Sequence, residues 1–147
     1  MHHDLWDYDL SAQPVLADLE KDGHSVPAVI VATKMGLLFT FDRETGEPIF
    51  PIEERPVPQS AVAGEASWPT QPFPTAPPPL VSHAPVRPED AWGLILWDKW
   101  RCRKLIERYR SEGIYTPPST EGTIFTPGYA GGVNWGSLAF EPERRRC

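Results

Sequence analysis

Pro27-Ala28-Val29-Ile30-Val31-Ala32-Thr33-Lys34-Met35-Gly36-Leu37-Leu38-Phe39-Thr40-Phe41-Asp42 is the most regular stretch of the chain. Its first half is β-branched and apolar at consecutive positions, the pattern of a strand buried between layers. Lys34-Met35-Gly36 makes a tight turn, and Leu37 to Asp42 returns as the antiparallel partner. Arg43-Glu44-Thr45-Gly46-Glu47 turns again, with Gly46 suited to positive φ, and Pro48-Ile49-Phe50 starts a third short strand. Short strands joined by tight turns make an antiparallel meander, the inner part of a propeller blade. The fold class is therefore all-β.

Upstream of this stretch, Gln13 to Leu19 reads as another short strand, with Pro14 tolerable at its start, and Lys21-Asp22-Gly23 as a turn. The chain opens on His2-His3-Asp4-Leu5-Trp6-Asp7-Tyr8-Asp9, three carboxylates, two imidazoles and two aromatic rings in an irregular loop. Acids interleaved with rings suit a site that holds a cation or a proton beside a flat ligand. His2 and His3, adjacent on an extended chain, point to opposite faces and do not share one metal ion. On residue type alone, a turn-capping carboxylate is the alternative reading of Asp7, and Lys34 reads as an exposed, inert lysine in a hairpin turn.

Downstream, residues 48–88 carry twelve of the eighteen prolines and exclude regular sheet or helix. Trp68, Phe73 and Leu80 are costly to leave in water, so this segment reads as a long excursion lying on the protein surface. A polyproline ligand for a partner module is the alternative. Pro88-Glu89-Asp90 fits a helix start, and Trp97, Trp100 and Arg108 follow at helical steps, with Leu96, Trp100, Ile106 and Tyr109 as an apolar stripe toward the core. Gly113 is a candidate C-cap. Two more strands are expected at 121–126 and 133–140, separated by the loop Pro127 to Gly132, whose backbone can approach a ligand or another segment. The division is blade strands with the candidate catalytic loop at 1–50, the proline-rich excursion at 51–88, an inserted helix at 89–112, and the next blade's strands at 113–147.

Composition excludes several classes. A formal charge of −6, with no basic stripe before Arg144-Arg145-Arg146, gives no reason to expect nucleic acid. No apolar run reaches the roughly 20 residues of a membrane-spanning helix, and no signal-peptide core is present. Two cysteines, Cys102 and Cys147, are too few for a zinc site and a weak basis for a disulfide.

HHDLWDYDL at 2–10, ATKMGLLFTFDRETGEP at 32–48, RPVPQS at 55–60, PTQPF at 69–73 and GIYTPPSTEGTIFTPGYAGGVNWGS at 113–137 resemble the pyrroloquinoline-quinone (PQQ)-dependent dehydrogenases, in particular the membrane-bound glucose dehydrogenase group. The resemblance covers nearly the whole chain. It implies two to three blades of an eight-bladed β-propeller that holds the flat cofactor near its axis beside a divalent ion, calcium or magnesium. Asp7 matches the general base, which draws the proton from a sugar or alcohol hydroxyl as hydride passes to the cofactor. Lys34 matches the residue that hydrogen-bonds the ortho-quinone oxygens. Asn134 and Trp135 are candidate cofactor neighbours, and no metal ligand is assigned.

Both principal roles are chemically sound. Charge that builds on a quinone oxygen is stabilised by a fixed ammonium, and desolvation raises a carboxylate toward the range of a working base. Absence of a vicinal cysteine pair favours the glucose branch over the methanol-oxidising one. The resemblance further implies an aldose substrate, electron transfer to ubiquinone, and residence at the periplasmic face of the inner membrane. The alternatives are an alcohol or polyol dehydrogenase, and a non-catalytic scaffold built from the same repeat. Such a scaffold has no reason to keep Trp6-Asp7 and Lys34 at this separation. By itself the chain is expected to be inactive and poorly soluble or oligomeric, since an open propeller leaves apolar faces and strand edges bare.

Overall fold

The computed structural model describes residues 1–143 of the 147, so Arg144-Arg145-Arg146 and Cys147 lie outside the described residues. Strands β1 (Val15–Lys21), β2 (His24–Ala32) and β3 (Leu38–Asp42) form an antiparallel meander with β2 in the centre. Lys21 pairs with His24 across a two-residue loop, and Asp22 and Gly23 there have φ of 52° and 77°. That is the mirror-image turn whose twist matches a tight hairpin, and it follows from the Asp-Gly sequence.

Alternation along β2 and β3 sorts the apolar run onto two faces. Ala28, Ile30, Ala32, Leu38 and Thr40 are buried on one face, where Ala32 and Leu38 pack with Ala12, Val133 and Leu138. Val29, Val31, Phe39 and Phe41 are half-buried on the other, and Phe39 packs against the larger core of Trp6, Tyr8, Met35, Leu37, Phe73 and Tyr115. The strand is covered on both sides, as an unbroken apolar run requires. The second cover is incomplete: Leu10, Val31, Phe39, Phe41, Ile52 and Tyr115 are among the residues lining an apolar cavity of about 280 Å³.

The turn after β3 closes as its sequence dictates. Asp42 Oδ1 accepts the backbone N–H groups of Glu44 (2.8 Å) and Thr45 (3.1 Å), and Gly46, at φ 79°, donates to the Asp42 carbonyl. Pro48 then makes only a single bridge to Phe41, so the strand expected at 48–50 does not extend.

The proline-rich excursion departs from expectation. Strands β4 (Ile52–Pro56) and β5 (Thr70–Pro74) pair antiparallel within it, Ile52 opposite Pro74 and Pro56 opposite Thr70. In a two-stranded ladder every strand is an edge, where the missing N–H of Pro56, Pro72 or Pro74 is tolerated. Phe73 is buried in the core, whereas Trp68 and Leu80 remain about half exposed.

The helical segment is also shorter than expected. Pro88–Asp90 forms one 3-10 turn, and α1 runs over Leu96–Arg108. Between them Gly93 lies against the first turn of α1, where a Cβ would meet Lys99 N at 2.3 Å. The chain therefore doubles back instead of continuing as one helix. None of the residues of α1 is buried, so Leu96 and Trp100 do not form the expected core stripe. The helix stops at Arg108, ahead of Gly113, which takes φ 92° in the turn that follows.

The strands expected at 121–126 and 133–140 do not form. A single bridge joins Arg110 to Thr123, and the rest is turns, such as Ser137 N–H to Asn134 C=O at 3.0 Å. A lone extended segment needs a paired neighbour to become a strand; here the polar side chains of Asn134 and Ser137 bond instead to Ser11 and to the Gln13 carbonyl, and Thr123 to the Pro117 carbonyl. The result is an antiparallel all-β chain with one helix, a partial β-propeller.

Candidate active site

The opening loop is built around Asp4. Its carboxylate accepts the backbone N–H of Trp6 (2.9 Å) and of Tyr8 (2.8 Å), which folds residues 4–8 into a tight bend. Trp6 and Tyr8 turn inward and are 1% and 0% exposed. The two rings lie 6.2 Å apart, and each meets the Tyr115 ring edge-on. The indole donates to the Thr116 carbonyl at 2.8 Å, and the Tyr8 hydroxyl donates to the Pro127 carbonyl. Burial, with Asp4 nearby, pushes the Tyr8 phenol up to about 12. These rings anchor the loop in the core and are not a platform for a flat ligand, which corrects the reading of the opening cluster.

With Trp6 and Tyr8 facing in, Asp7 and Asp9 are left facing out on one side, their carboxylates largely exposed. Asp7 takes φ 62°, a left-handed backbone that aspartate tolerates and most residues avoid.

Lys34 comes to meet them. The turn that carries it is locked by Thr33, whose hydroxyl donates to Leu37 C=O (2.9 Å) and accepts Leu37 N–H (3.1 Å). Gly36, at φ 72°, donates to the Thr33 carbonyl at 2.8 Å. From there the lysine side chain, only 8% exposed, reaches the Asp7 carbonyl at 2.8 Å, the Asp7 carboxylate at 3.2 Å and the Asp9 carboxylate. The Asp9 hydrogen bond in the first place, with Asp7 also contributing, raises the proton affinity of Lys34 above the usual lysine range against the opposing effect of burial. In this arrangement the ammonium is equipped to donate a hydrogen bond to a carbonyl oxygen, and a solvent-facing carboxylate beside it to take up a proton from a bound hydroxyl.

A remote loop clamps the lysine backbone. Gly132 donates to the Lys34 carbonyl at 2.6 Å, and Gly131, at φ 71°, lies so close that a Cβ would fall 2.6 Å from Lys34 Cα. This is the close backbone approach expected of the loop Pro127 to Gly132, made here onto the site lysine itself.

The structure brings together Asp7 and Lys34, twenty-seven positions apart in the sequence and singled out there through the family resemblance. Asn134 and Trp135 lie elsewhere in the hydrogen-bond network. The Asn134 amide accepts from Ser11 Oγ (2.8 Å) and from Trp135 N–H, and donates to Ala130 C=O, while the Trp135 ring is 82% exposed. His2 and His3 bond to different acids, Glu54 and Glu65. Among the described residues no group of three or more His, Cys, Asp or Glu side chains is placed to hold a metal ion, and no helix is long and apolar enough to cross a membrane. Asp9, Gly131 and Gly132 went unassigned in the sequence. The signal for Asp9 was the Asp-x-Asp spacing around a core tyrosine.

The profile of the PQQ-type glucose/ethanol/alcohol dehydrogenase β-propeller domain matches residues 1–147. Quinoprotein glucose dehydrogenase of Escherichia coli (strain K12) is 42% identical over 150 residues, covering 98% of this chain and 18% of its own length. Quinate/shikimate dehydrogenase (quinone) of Acinetobacter baylyi is 39% identical over 146 residues, 99% of this chain and 18% of its own. The glycerol dehydrogenase large subunit of Gluconobacter thailandicus is 42% identical over 146 residues, 97% of this chain and 20% of its own. The chain therefore spans about a fifth of the length of the curated relatives it matches. No solved structure matches it significantly.

Proposed function

The chain belongs to the β-propeller family of PQQ-dependent glucose/ethanol/alcohol dehydrogenases, and from that premise we propose that it carries the proton-abstracting side of a quinoprotein active site that oxidises an aldose to its lactone. The carrying observation is the Asp7–Lys34 pair, a solvent-facing carboxylate 3.2 Å from a buried ammonium. In this reading Asp7 is the general base and accepts the proton of the sugar hydroxyl. Lys34 donates a hydrogen bond to a cofactor carbonyl oxygen and balances the negative charge that accumulates there. When bound, pyrroloquinoline quinone supplies the hydride acceptor.

The residues present fit that group by the chemistry of their donors. A charged N–H donor and a carboxylate open to solvent on the same side are what a quinone oxygen and an adjacent hydroxyl require. Trp135 is proposed as a flat exposed wall toward the cofactor, and Asn134 as the residue that orients it through its hydrogen bond to the Trp135 backbone N–H. The divalent ion of the family, calcium or magnesium, is not assigned ligands in this chain, since among the described residues no group of three or more His, Cys, Asp or Glu side chains is placed to hold it. Ubiquinone as electron acceptor, residence at the periplasmic face of the inner membrane, and the division of the chain at residues 50, 88 and 112 are proposed with it.

A second substrate class has support of its own. Relatives that the chain matches at 39–42% identity are named for quinate/shikimate and glycerol as well as glucose, so a cyclic or linear polyol is the competing substrate. A non-catalytic scaffold has no such support, because it gains nothing from holding Asp7 beside Lys34.

The test is a chimera in which this chain replaces its matching stretch of the Escherichia coli glucose dehydrogenase. Asp7→Asn in that protein is expected to lower turnover with an aldose by about 10²–10⁴-fold while cofactor is retained. Near-normal turnover would sink the base assignment. A panel of glucose, quinate and glycerol then separates the substrate classes by kcat/KM.

A further inference from the structure

An ammonium group has three N–H donors and no acceptor. In Lys34 all three are directed at protein oxygens: the Asp7 carbonyl, the Asp7 carboxylate and the Asp9 carboxylate. The Asp9 contact is the shortest of the three, and the Asp7 carboxylate, at 3.2 Å, is the longest.

From this unequal sharing we infer that Asp9 is the positioning residue of the site: it anchors the Lys34 ammonium and thereby frees the Asp7 carboxylate to act on a substrate proton. The inference rests on the reading of Asp7 and Lys34 given above. A base that is also the sole counter-ion of a buried cation cannot turn away without stranding that cation, a costly arrangement. Asp9 removes the conflict. When Asp7 releases its long contact, Lys34 still holds the Asp7 carbonyl and the Asp9 carboxylate, and its third N–H is free for an incoming oxygen acceptor. Two of three donors keep the ammonium in place while one changes partner.

The backbone supports this division of labour. Trp6 and Tyr8, locked in the core, fix the residues between and beside them, so Asp7 and Asp9 flank the same side of Lys34. Gly131 and Gly132 clamp the lysine from the opposite end of its own residue, at the Cα and carbonyl. The lysine is therefore held at its backbone by one loop and at its charge by another, and Asp9 is the side chain that completes the second hold.

The direct test needs no cofactor. In the 147-residue chain labelled with ¹⁵N-lysine, the Lys34 Nζ resonance is followed as pH rises, for the native chain, Asp9→Asn, Asp7→Asn and Asp9→Glu, with amide spectra confirming the fold of each. Asp9→Asn is expected to lower the Lys34 midpoint more than Asp7→Asn does, and Asp9→Glu to restore most of it. A larger drop from Asp7→Asn overturns the inference. In the chimera described above, Asp9→Asn is expected to weaken binding of pyrroloquinoline quinone on the order of tenfold, as loss of one charge-assisted contact implies. Native affinity in that variant also overturns it. Lys34→Ala in the chimera keeps the two readings apart: if it leaves cofactor affinity unchanged, the cofactor role of Lys34 fails, whereas the ammonium titration judges Asp9 alone.

Discussion

At the scale of single residues, the site depends on two glycines that carry no chemistry. Gly131 adopts φ 71°, and its missing side chain lets Lys34 Cα lie where a Cβ would be 2.6 Å away. Gly131→Ala combines left-handed strain with a clash against backbone, and neither can relax through a flexible side chain. The expected cost is about 1–3 kcal/mol in urea unfolding, accompanied by a shift of the Lys34 amide resonance. Gly128→Ala, which meets open space within 4 Å, serves as the control and should stay near native stability. Asp4 is a second such residue. It is exposed, yet its carboxylate accepts two backbone N–H groups and sets the bend that presents Asp7. Asp4→Ala is expected to cost about 1–2 kcal/mol and to impair turnover of the chimera without any contact between Asp4 and the reacting atoms. Equal effects of Gly131→Ala and Gly128→Ala, or full activity of Asp4→Ala, would show that these positions do not hold the site. In the sequence Asp4 is only one of three carboxylates in the opening cluster, and Gly131 and Gly132 only members of a loop able to approach a ligand or another segment; their hold on Lys34 and Asp7 is not written in residue type. A glycine whose importance is a close approach declares it only when the other segment is in view.

At the scale of elements, sequence and structure agree where the information is local. The Asp22-Gly23 hairpin and the Asp42-to-Gly46 turn follow from neighbours within a few positions, and the unbroken apolar run of β2 announces that both its faces are covered without naming the distant residues that cover them. They diverge where a partner lies far along the chain. Prolines 56, 72 and 74 argued against sheet, yet β4 and β5 form a two-stranded ladder because both of its members are edges. Residues 121–126 and 133–140 have strand-like composition and remain irregular because among the described residues no strand lies beside them. The Asp42 turn supplies an acid-side prediction. The backbone N–H of Glu44, and then that of Thr45, hold the Asp42 carboxyl below the usual aspartate range. A group depressed in the folded state contributes stability that is fully present above its unfolded value and is lost as pH falls through the folded one. Asp42→Ala is therefore expected to flatten the acid limb of stability against pH, with its largest effect above the ordinary aspartate value. Denaturant melts across that range measure it, and an unchanged acid limb would refute the turn's contribution.

At the scale of the whole molecule, the inner parts of the fold are finished and the outer parts are not. Trp6, Tyr8 and Tyr115 are almost wholly buried, while Leu94 and Leu96 are 83% and 88% exposed beside Trp92, Trp97 and Trp100. The pattern of α1 suggested a core-facing stripe because helical steps relate its apolar residues. What the steps do not reveal is whether anything stands opposite them, and among the described residues none of the α1 side chains is buried. An apolar surface of this kind is large for a soluble monomer. Together with the open cavity beside Val31 and Phe39, it gives the 147-residue chain a reason to associate with itself in solution. Concentration-dependent sedimentation is expected to show oligomers in the micromolar range. The double variant Leu94→Glu with Leu96→Glu should shift the distribution toward monomer, because it places two charges on the patch and removes no buried contact. Circular dichroism should be unchanged, since α1 owes nothing to core packing at those positions. If oligomers persist undiminished in the double variant, the helix patch is not what joins the copies, and Val31→Lys, in the lining of the cavity, should then be the substitution that disperses them.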